Sequence, residues 1–229
     1  MKPLILLVAI GILVWGNPTA ADDPKAIKTK VRLGVDGDLV AAKATKIMII
    51  RHAEKPPSSP PPDGVNVNGD HDANSLIVRG WQRAGALAVF FAPANGSMHN
   101  PGIATPQFIY ATRVGKESES ERQEETVTPL IEVLKDRVAV NFDFLKGQEP
   151  QVAASALACA GTVLISWEHH TIPAIASKIP LSPNNTTPVP SLWPDDRFDL
   201  VWVFDLDPGA SGYFFNQVPQ LLLAGDRPV

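Results

Sequence analysis

The chain has 229 residues, 45 % of them apolar and 19 % charged, with a formal net charge of −4. That composition excludes a disordered chain and suits one domain of the larger single-core kind. The acidic balance argues against nucleic acid or an anionic membrane as the main partner, because both select basic surfaces. A small anionic substrate stays compatible with it, since a few arginines can set the field inside one pocket.

In chain order, Lys2 and the α-amino group precede "PLILLVAIGILVWG", an apolar run short for a bilayer span, and small residues follow in "NPTAADD". This is the pattern of an export signal cleaved after Ala20 or Ala21, with a retained anchor as the alternative. Residues 1–21 are therefore read as signal and 22–229 as one domain, secreted or periplasmic and not stably membrane-bound once the signal is removed. Cys159 is the sole cysteine, so no internal disulfide forms, and its Ala-rich surroundings predict a buried, inert thiol. Asn95, Asn184 and Asn185 each begin an N-x-S/T sequon, which matters only in a host that glycosylates.

Strand-like and helix-like patterns then alternate. "KIMII" is an apolar, β-branched run, and the Pro-, Gly- and Asp-rich stretch from Pro56 to about Asn74 reads as a long loop. "RGWQRAGALAVFFA" carries Trp81, Ala84, Leu87, Ala88 and Phe91 at helical spacing behind Gly80. "PQFIYAT" is a strand, and "ESERQEETVTPLIEVLKD" a helix with Val127, Leu130, Ile131 and Leu134 on its apolar face. "RVAVNFDF" reads as a strand, "EPQVAASALACA" as a helix with Pro150 in its first turn, and "GTVLISWEHH" as another apolar strand. "TIPAIASKI" suits a short helix, and a loop runs from about Pro180 to Pro194. "DLVWVFDL" and "GYFFNQVPQLLL" look like a closing antiparallel pair of strands. The alternation predicts an α/β fold: a mostly parallel central sheet flanked by helices on both faces.

Ligands of such sheets bind at the carboxyl ends of the strands. Here one strand ends in Arg51–His52 and another in Glu168–His169–His170, while "FIYAT" is followed by Arg113 and a helix holding Arg122. Two arginines and two histidines on one rim would make a pocket for a phosphate-sized dianion, since Arg forks match its oxygens in pairs. A neutral imidazole there could attack phosphorus while cations stabilise the equatorial oxygens. The histidines lack zinc spacing such as H-E-x-x-H, and the chain has no Gly-rich nucleotide loop, G-x-S-x-G elbow or RNA-binding aromatic motif. Neither a metal nor another cofactor is expected.

These segments resemble the histidine phosphatase superfamily, also called the phosphoglycerate mutase-like family. "IMIIRHAEKP" is similar to its strand ending in Arg-His-Gly-Glu or Arg-His-Ala-Glu, and "SLIVRGWQRAGALA" to its Leu-x-x-x-Gly-x-x-Gln-Ala helix start. "IYATRVGKESESERQEETVTPL" resembles its strand followed by Ser-x-Arg-x-x-x-Thr, with Ser120, Arg122 and Thr126 at the matching places. "GTVLISWEHHTIPAIA" resembles the late strand that delivers a second histidine. The resemblance runs in order from about Lys46 to Ile175 and fades toward the C-terminus.

It implies a phosphoglycerate mutase-like fold, with His52 as the phosphohistidine nucleophile and Arg51, Arg122 and the second histidine binding the phosphoryl group. The family's late strand ends in Ser-His-Gly, whereas this one ends in Trp-Glu-His-His. A gapless match on Thr171 to Ala174 puts Glu168 at the histidine position and a one-residue shift puts His169 there. His169 is preferred, with His170 as the alternative, because an anion pocket needs a cation and Glu168 would repel the substrate. For the general acid the resemblance implies a glutamate after the third strand, here Glu149; Glu168, Asp70 and Asp72 are alternatives. Glu149 can equally be a helix N-terminal carboxylate favoured by the macrodipole. Glu54 and Lys55 either contact substrate or pair with each other, Arg113 either lines the pocket or is solvated, and Glu168 and His170 complete the substrate-binding set.

The expected activity is hydrolysis of a small phosphomonoester through a phosphohistidine at His52, without metal. Export favours a hydrolase over a mutase. A phosphotransferase or mutase, and a non-catalytic member that binds an anion or a protein, are the alternatives.

Overall fold

The structure is a computed structural model that describes residues 32–33, 39–40, 43–59, 61–116 and 118–229. The expected signal segment, residues 1–21, lies outside the described residues. Two-residue strands β1 (Arg32–Leu33) and β2 (Leu39–Val40) pair antiparallel. The main body then follows as β3 (Lys46–Arg51), α1 (Val78–Phe91), β4 (Phe108–Ala111), α2 (Arg122–Leu134), β5 (Ala139–Asn141), α3 (Glu149–Leu157), β6 (Thr162–Trp167), α4 (Ile172–Ala176), β7 (Leu200–Leu206) and β8 (Tyr213–Pro219). No helix among the described residues is long and apolar enough to cross a membrane.

Six of these strands form one sheet in the order β5-β4-β6-β3-β7-β8. β5, β4, β6 and β3 run parallel, and β7 and β8 close the far edge antiparallel. This is the mostly parallel, helix-covered sheet expected from the alternating pattern. The continuous apolar runs of β3, β6 and β7 follow from burial on both faces. On one face Met48, Ile50, Leu164, Val201 and Val203 pack with Leu87 and Phe91 of α1 and Val127 and Leu130 of α2. On the other Ile47, Ile49, Val163, Ile165, Trp202 and Phe204 pack with Val152 and Ala156 of α3 and Ile172 and Ile175 of α4.

Three expectations change in extent. The strand expected across "RVAVNFDF" is only Ala139–Asn141, because Lys135–Arg137 prolong α2 as a 3-10 turn and the strand has a single neighbour, β4. Helix α1 starts at Val78 and so includes Gly80. The loop expected to end at Pro194 runs on to Asp199, just before β7. Cys159 is buried as expected, 3.2 Å from the Tyr110 hydroxyl, with burial pushing its thiol pKa up.

The topology fixes where a ligand can enter. β3 and β6 are parallel neighbours, yet the chain leaves β3 toward α1 on one face and leaves β6 toward α4 on the other. Their carboxyl ends therefore flank a crevice at the switch point of the sheet. Arg51 lies opposite Trp167 in the ladder, and the His52 amide adds one further bond to the Trp167 carbonyl at 3.1 Å. The two histidine-bearing strand ends thus open side by side. Helix α1 comes close to the same place: a Cβ on Gly80 would lie 2.5 Å from the Glu54 carbonyl oxygen, so only glycine permits the approach.

Candidate active site

His52 stands just past β3 and is 2 % exposed. Its Nδ1 lies 2.8 Å from the Ala53 carbonyl oxygen. A carbonyl can only accept, so Nδ1 carries the proton and Nε2 the lone pair. Burial first, then the nearby charges of Arg51 and Arg122 and the neighbouring His169, lower the imidazole pKa to about 3. The side chain is thereby held as a neutral base with one defined reactive nitrogen.

Arg51, the last residue of β3, is also 2 % exposed. Its Nη1 donates to the carbonyls of Asp195 at 2.5 Å and Arg197 at 3.3 Å, and its guanidinium carbon lies 3.7 Å from the Phe198 ring centre. Desolvation lowers its pKa to about 10, against the opposing pull of Asp195 and Glu168. The buried Nε has no partner among the described residues. One edge of the fork is fixed while a donor on the other is unspent, which suits an arriving oxyanion.

Arg122 opens α2, where backbone N–H groups and the helix dipole favour an anion. The helix end is docked on the segment just past β3 through Thr126, whose Oγ1 accepts the Ala53 amide at 2.8 Å and donates to the Arg122 carbonyl at 2.6 Å. The guanidinium donates to the carbonyls of Ala73 and Ser75 and to the Ser120 hydroxyl. Burial lowers its pKa, opposed by Glu125 and Asp72. It borders a 540 Å³ cavity shared with Lys55, Pro56, Pro57, Ser58 and Ala73, at the mouth of the long loop.

At the end of β6, His169 is 3 % exposed and His170 exposed, with ring centroids 3.8 Å apart. The His169 ring stands 6.5 Å from that of His52, edge to face. Its Nε2 is 3.2 Å from the Asp195 carboxylate and its Nδ1 3.0 Å from Glu168 Oε1. Burial works to raise the Glu168 pKa, but His169, the His170 amide and Lys146 outweigh it and hold the carboxyl near 2.

Other residues face elsewhere. Glu54, expected at the substrate or paired with Lys55, instead accepts from Arg83 at 2.8 Å and from Arg79 at 3.2 Å; its buried carboxylate is spent on α1. Lys55 is exposed at the rim of the Arg122 cavity. Arg113 is exposed, and its amide donates to the Phe144 carbonyl. Glu149 is buried and accepts from the Trp167 indole and the Gly147 amide, both at 3.1 Å, which ties it to the β6–α3 packing. Asp70 is exposed in the long loop, and Asp72 accepts the Asn74 amide at 2.7 Å.

Asp195 and Phe198 escaped the sequence reading. Both lie in the irregular stretch before β7, where no periodicity marks a residue as facing a site. Phe198 stands 6.2 Å from the His52 ring, and the Asp195 side chain is 80 % exposed while touching His169. The Pro194–Asp195–Asp196–Arg197 run of turn-forming residues is the one available hint.

No protein-family model matches the sequence, and no curated protein matches it. Among solved structures, a candidate phosphohistidine phosphatase, SixA, from Agrobacterium tumefaciens is 14 % identical, with a TM-score of 0.42 over 75 % of this chain and 97 % of its own. A mycobacterial hydrolase is 12 % identical, with a TM-score of 0.39 over 76 % of this chain and 88 % of its own. Both likenesses are partial, and neither carries an activity over to this chain.

Proposed function

We propose that the chain is a phosphomonoester hydrolase that works through a phosphohistidine at His52. The observation that carries this reading is the state of His52: a buried, neutral imidazole with its proton committed to the Ala53 carbonyl and cations beside it. Nε2 attacks phosphorus and the ester P–O bond breaks. The equatorial oxygens are met by the free edge of Arg51, by His169 Nε2–H, shared with Asp195, and by Arg122 at the helix terminus. Phosphorylation makes the ring cationic, and the Ala53 carbonyl bond to Nδ1–H favours that charge.

The departing alkoxide needs a proton. Glu168 is held ionised well below neutral pH, which makes it a poor donor there. Asp195, beside His169 and open to solvent, can draw that proton from bulk water and is the better-placed carboxyl. Water then attacks the phosphohistidine with Asp195 taking its proton, so inorganic phosphate and the alcohol leave and His52 returns to its starting form. Side-chain cations supply the charge stabilisation, so the scheme requires no metal. The substrate is a small phosphorylated molecule whose organic part fills the cavity next to Arg122, and the enzyme acts outside the cytoplasm.

The test is turnover. Purified chain is assayed for phosphate release from a panel of alkyl and aryl phosphomonoesters beside His52→Ala. Release that His52→Ala loses by three or more orders of magnitude supports the reading. Equal release from both proteins removes His52 from the reaction.

A further inference from the structure

The strand end that supplies His169 carries a second arrangement of side chains. In a continuing strand Glu168, His169 and His170 would alternate sides. Here the chain turns at once, with the amides of Thr171 and Ile172 both bonding back to the Glu168 carbonyl at 3.1 Å. The turn gathers three consecutive side chains, and one ligand-type atom from each lies within 4.8 Å of the others.

Two of these side chains have unspent polar atoms. His169 is 4 % exposed at its side chain, and its buried Nδ1 has no hydrogen-bond partner among the described residues. Glu168 Oε1, which accepts the His170 amide at 3.2 Å, lies 3.0 Å from that nitrogen without closing a hydrogen bond to it. Glu168 Oε2 is likewise buried without a hydrogen bond, although Lys146 Nζ lies 3.4 Å from it. On its far side, His169 Nε2 meets Asp195 Oδ1 at 3.2 Å. A carboxylate that accepts from one ring nitrogen fixes the tautomer that frees the other for a metal. His170 stacks alongside, with its side chain 65 % exposed and its Nδ1 3.9 Å from Asp195 Oδ1.

We propose that Glu168, His169 and His170 form a binding site for a zinc-class divalent cation, with Asp195 orienting His169 from the outer side. Two imidazoles and one carboxylate are a borderline-soft set suited to Zn²⁺ and poorly suited to Mg²⁺. Zinc–nitrogen and zinc–oxygen bonds of about 2.0–2.2 Å require ligand atoms no more than about 4 Å apart, so His170 closes onto the other two as the ion binds. Lys146 is the built-in competitor, since its ammonium neutralises part of the Glu168 charge. The site does not rest on the phosphatase reading: a chain that hydrolysed no ester would still bind the ion.

Calorimetric titration of the chelator-treated full chain with Zn²⁺ tests this, with Co²⁺ absorption as a second readout. The expected result is one saturable ion per chain, weakened at least tenfold in both Glu168→Gln and His170→Ala and strengthened severalfold in Lys146→Ala. The exposed position of His170 makes its replacement safe for folding, which circular dichroism checks. Absence of saturable binding by the wild type overturns the proposal. So does binding unchanged in Glu168→Gln and His170→Ala, above all if it is lost in His71→Ala, because His71 and Asp63 lie 3.3 Å apart on the surface.

Discussion

The Phe198 ring lies under the Arg51 guanidinium at 3.7 Å and stands 6.2 Å from the His52 imidazole. The ring thus orients the arginine and shields the His52 imidazole from water. A cation over a ring contributes about 0.5–2 kcal/mol, depending on how far it is desolvated. Phe198→Ala should therefore lower kcat/KM for a phosphomonoester about tenfold and weaken inhibition by inorganic phosphate in step. Phe198→Tyr, which keeps the ring face, should change both little. Steady-state kinetics with phosphate as competitor reads the two effects.

The two adjacent histidines should differ sharply. His169 is buried, faces His52 edge to face and turns Nε2 to Asp195, whereas His170 is exposed. His169→Ala should cost about 10²–10³ in kcat, the usual cost of losing one donor to a developing oxyanion. His170→Ala should cost less than threefold in metal-free buffer. Rate measurements on the two single variants distinguish them.

Asp195 should matter in proportion to how badly the leaving group needs a proton. Asp195→Asn is expected to slow hydrolysis of an alkyl phosphate by about 10²–10⁴, the range for a lost general acid. With p-nitrophenyl phosphate, whose phenolate leaves unaided, the same variant should lose far less. A parallel loss on both substrates would instead give Asp195 a purely positional role through Arg51 and His169.

The state of His52 has a cost that acid reveals. In the unfolded chain the imidazole protonates below about 6.5, but in the folded protein only near 3. Between those values the unfolded state binds more protons, so stability falls as pH drops through that window. Urea midpoints measured from pH 7 to pH 4 should fall more steeply in the wild type than in His52→Asn. Glu168 titrates in both proteins and cancels in the comparison.

Beneath the site, Arg83 is 2 % exposed and is held by Glu54 and by Asp226 of the C-terminal segment at 2.7–2.8 Å. Arg227 of that segment pairs with Asp196 and donates its amide to Asp199, which straps down the loop carrying Asp195 and Phe198. Breaking a buried pair by removing one partner costs about 3–5 kcal/mol. Arg83→Ala should be destabilised by that amount in chemical denaturation. Asp226→Asn should cost less, since the Glu54 bonds to Arg83 survive.

Much of this was legible because the signals are local. Uninterrupted apolar runs marked β3, β6 and β7 as buried on both faces, and helical spacing in α1 and α2 marked their core sides. Arg51 and His52 could be placed from position alone, since a charged pair directly behind an apolar strand sits at its end. What was hidden depends on folding the chain back. Asp195 and Phe198 lie about 145 residues from Arg51 in an irregular segment, and only the tertiary structure brings them together. Glu54 follows the strand as closely as His52, yet its direction is set by Arg83 on α1, which no spacing reports. The choice between His169 and His170 turns on one residue of phase in a tight turn, where strand alternation no longer applies.

The central claim is that His52 carries the phosphoryl group. Wild type and His52→Ala are mixed with a ³²P-labelled phosphomonoester, denatured within milliseconds and split into acid- and alkali-treated portions. The account predicts label on the wild type that survives alkali and is lost in acid, as a phosphoramidate should be, with none on His52→Ala. Equal labelling of the two proteins, or ester hydrolysis by the wild type with no trapped label at any quench time, would contradict it.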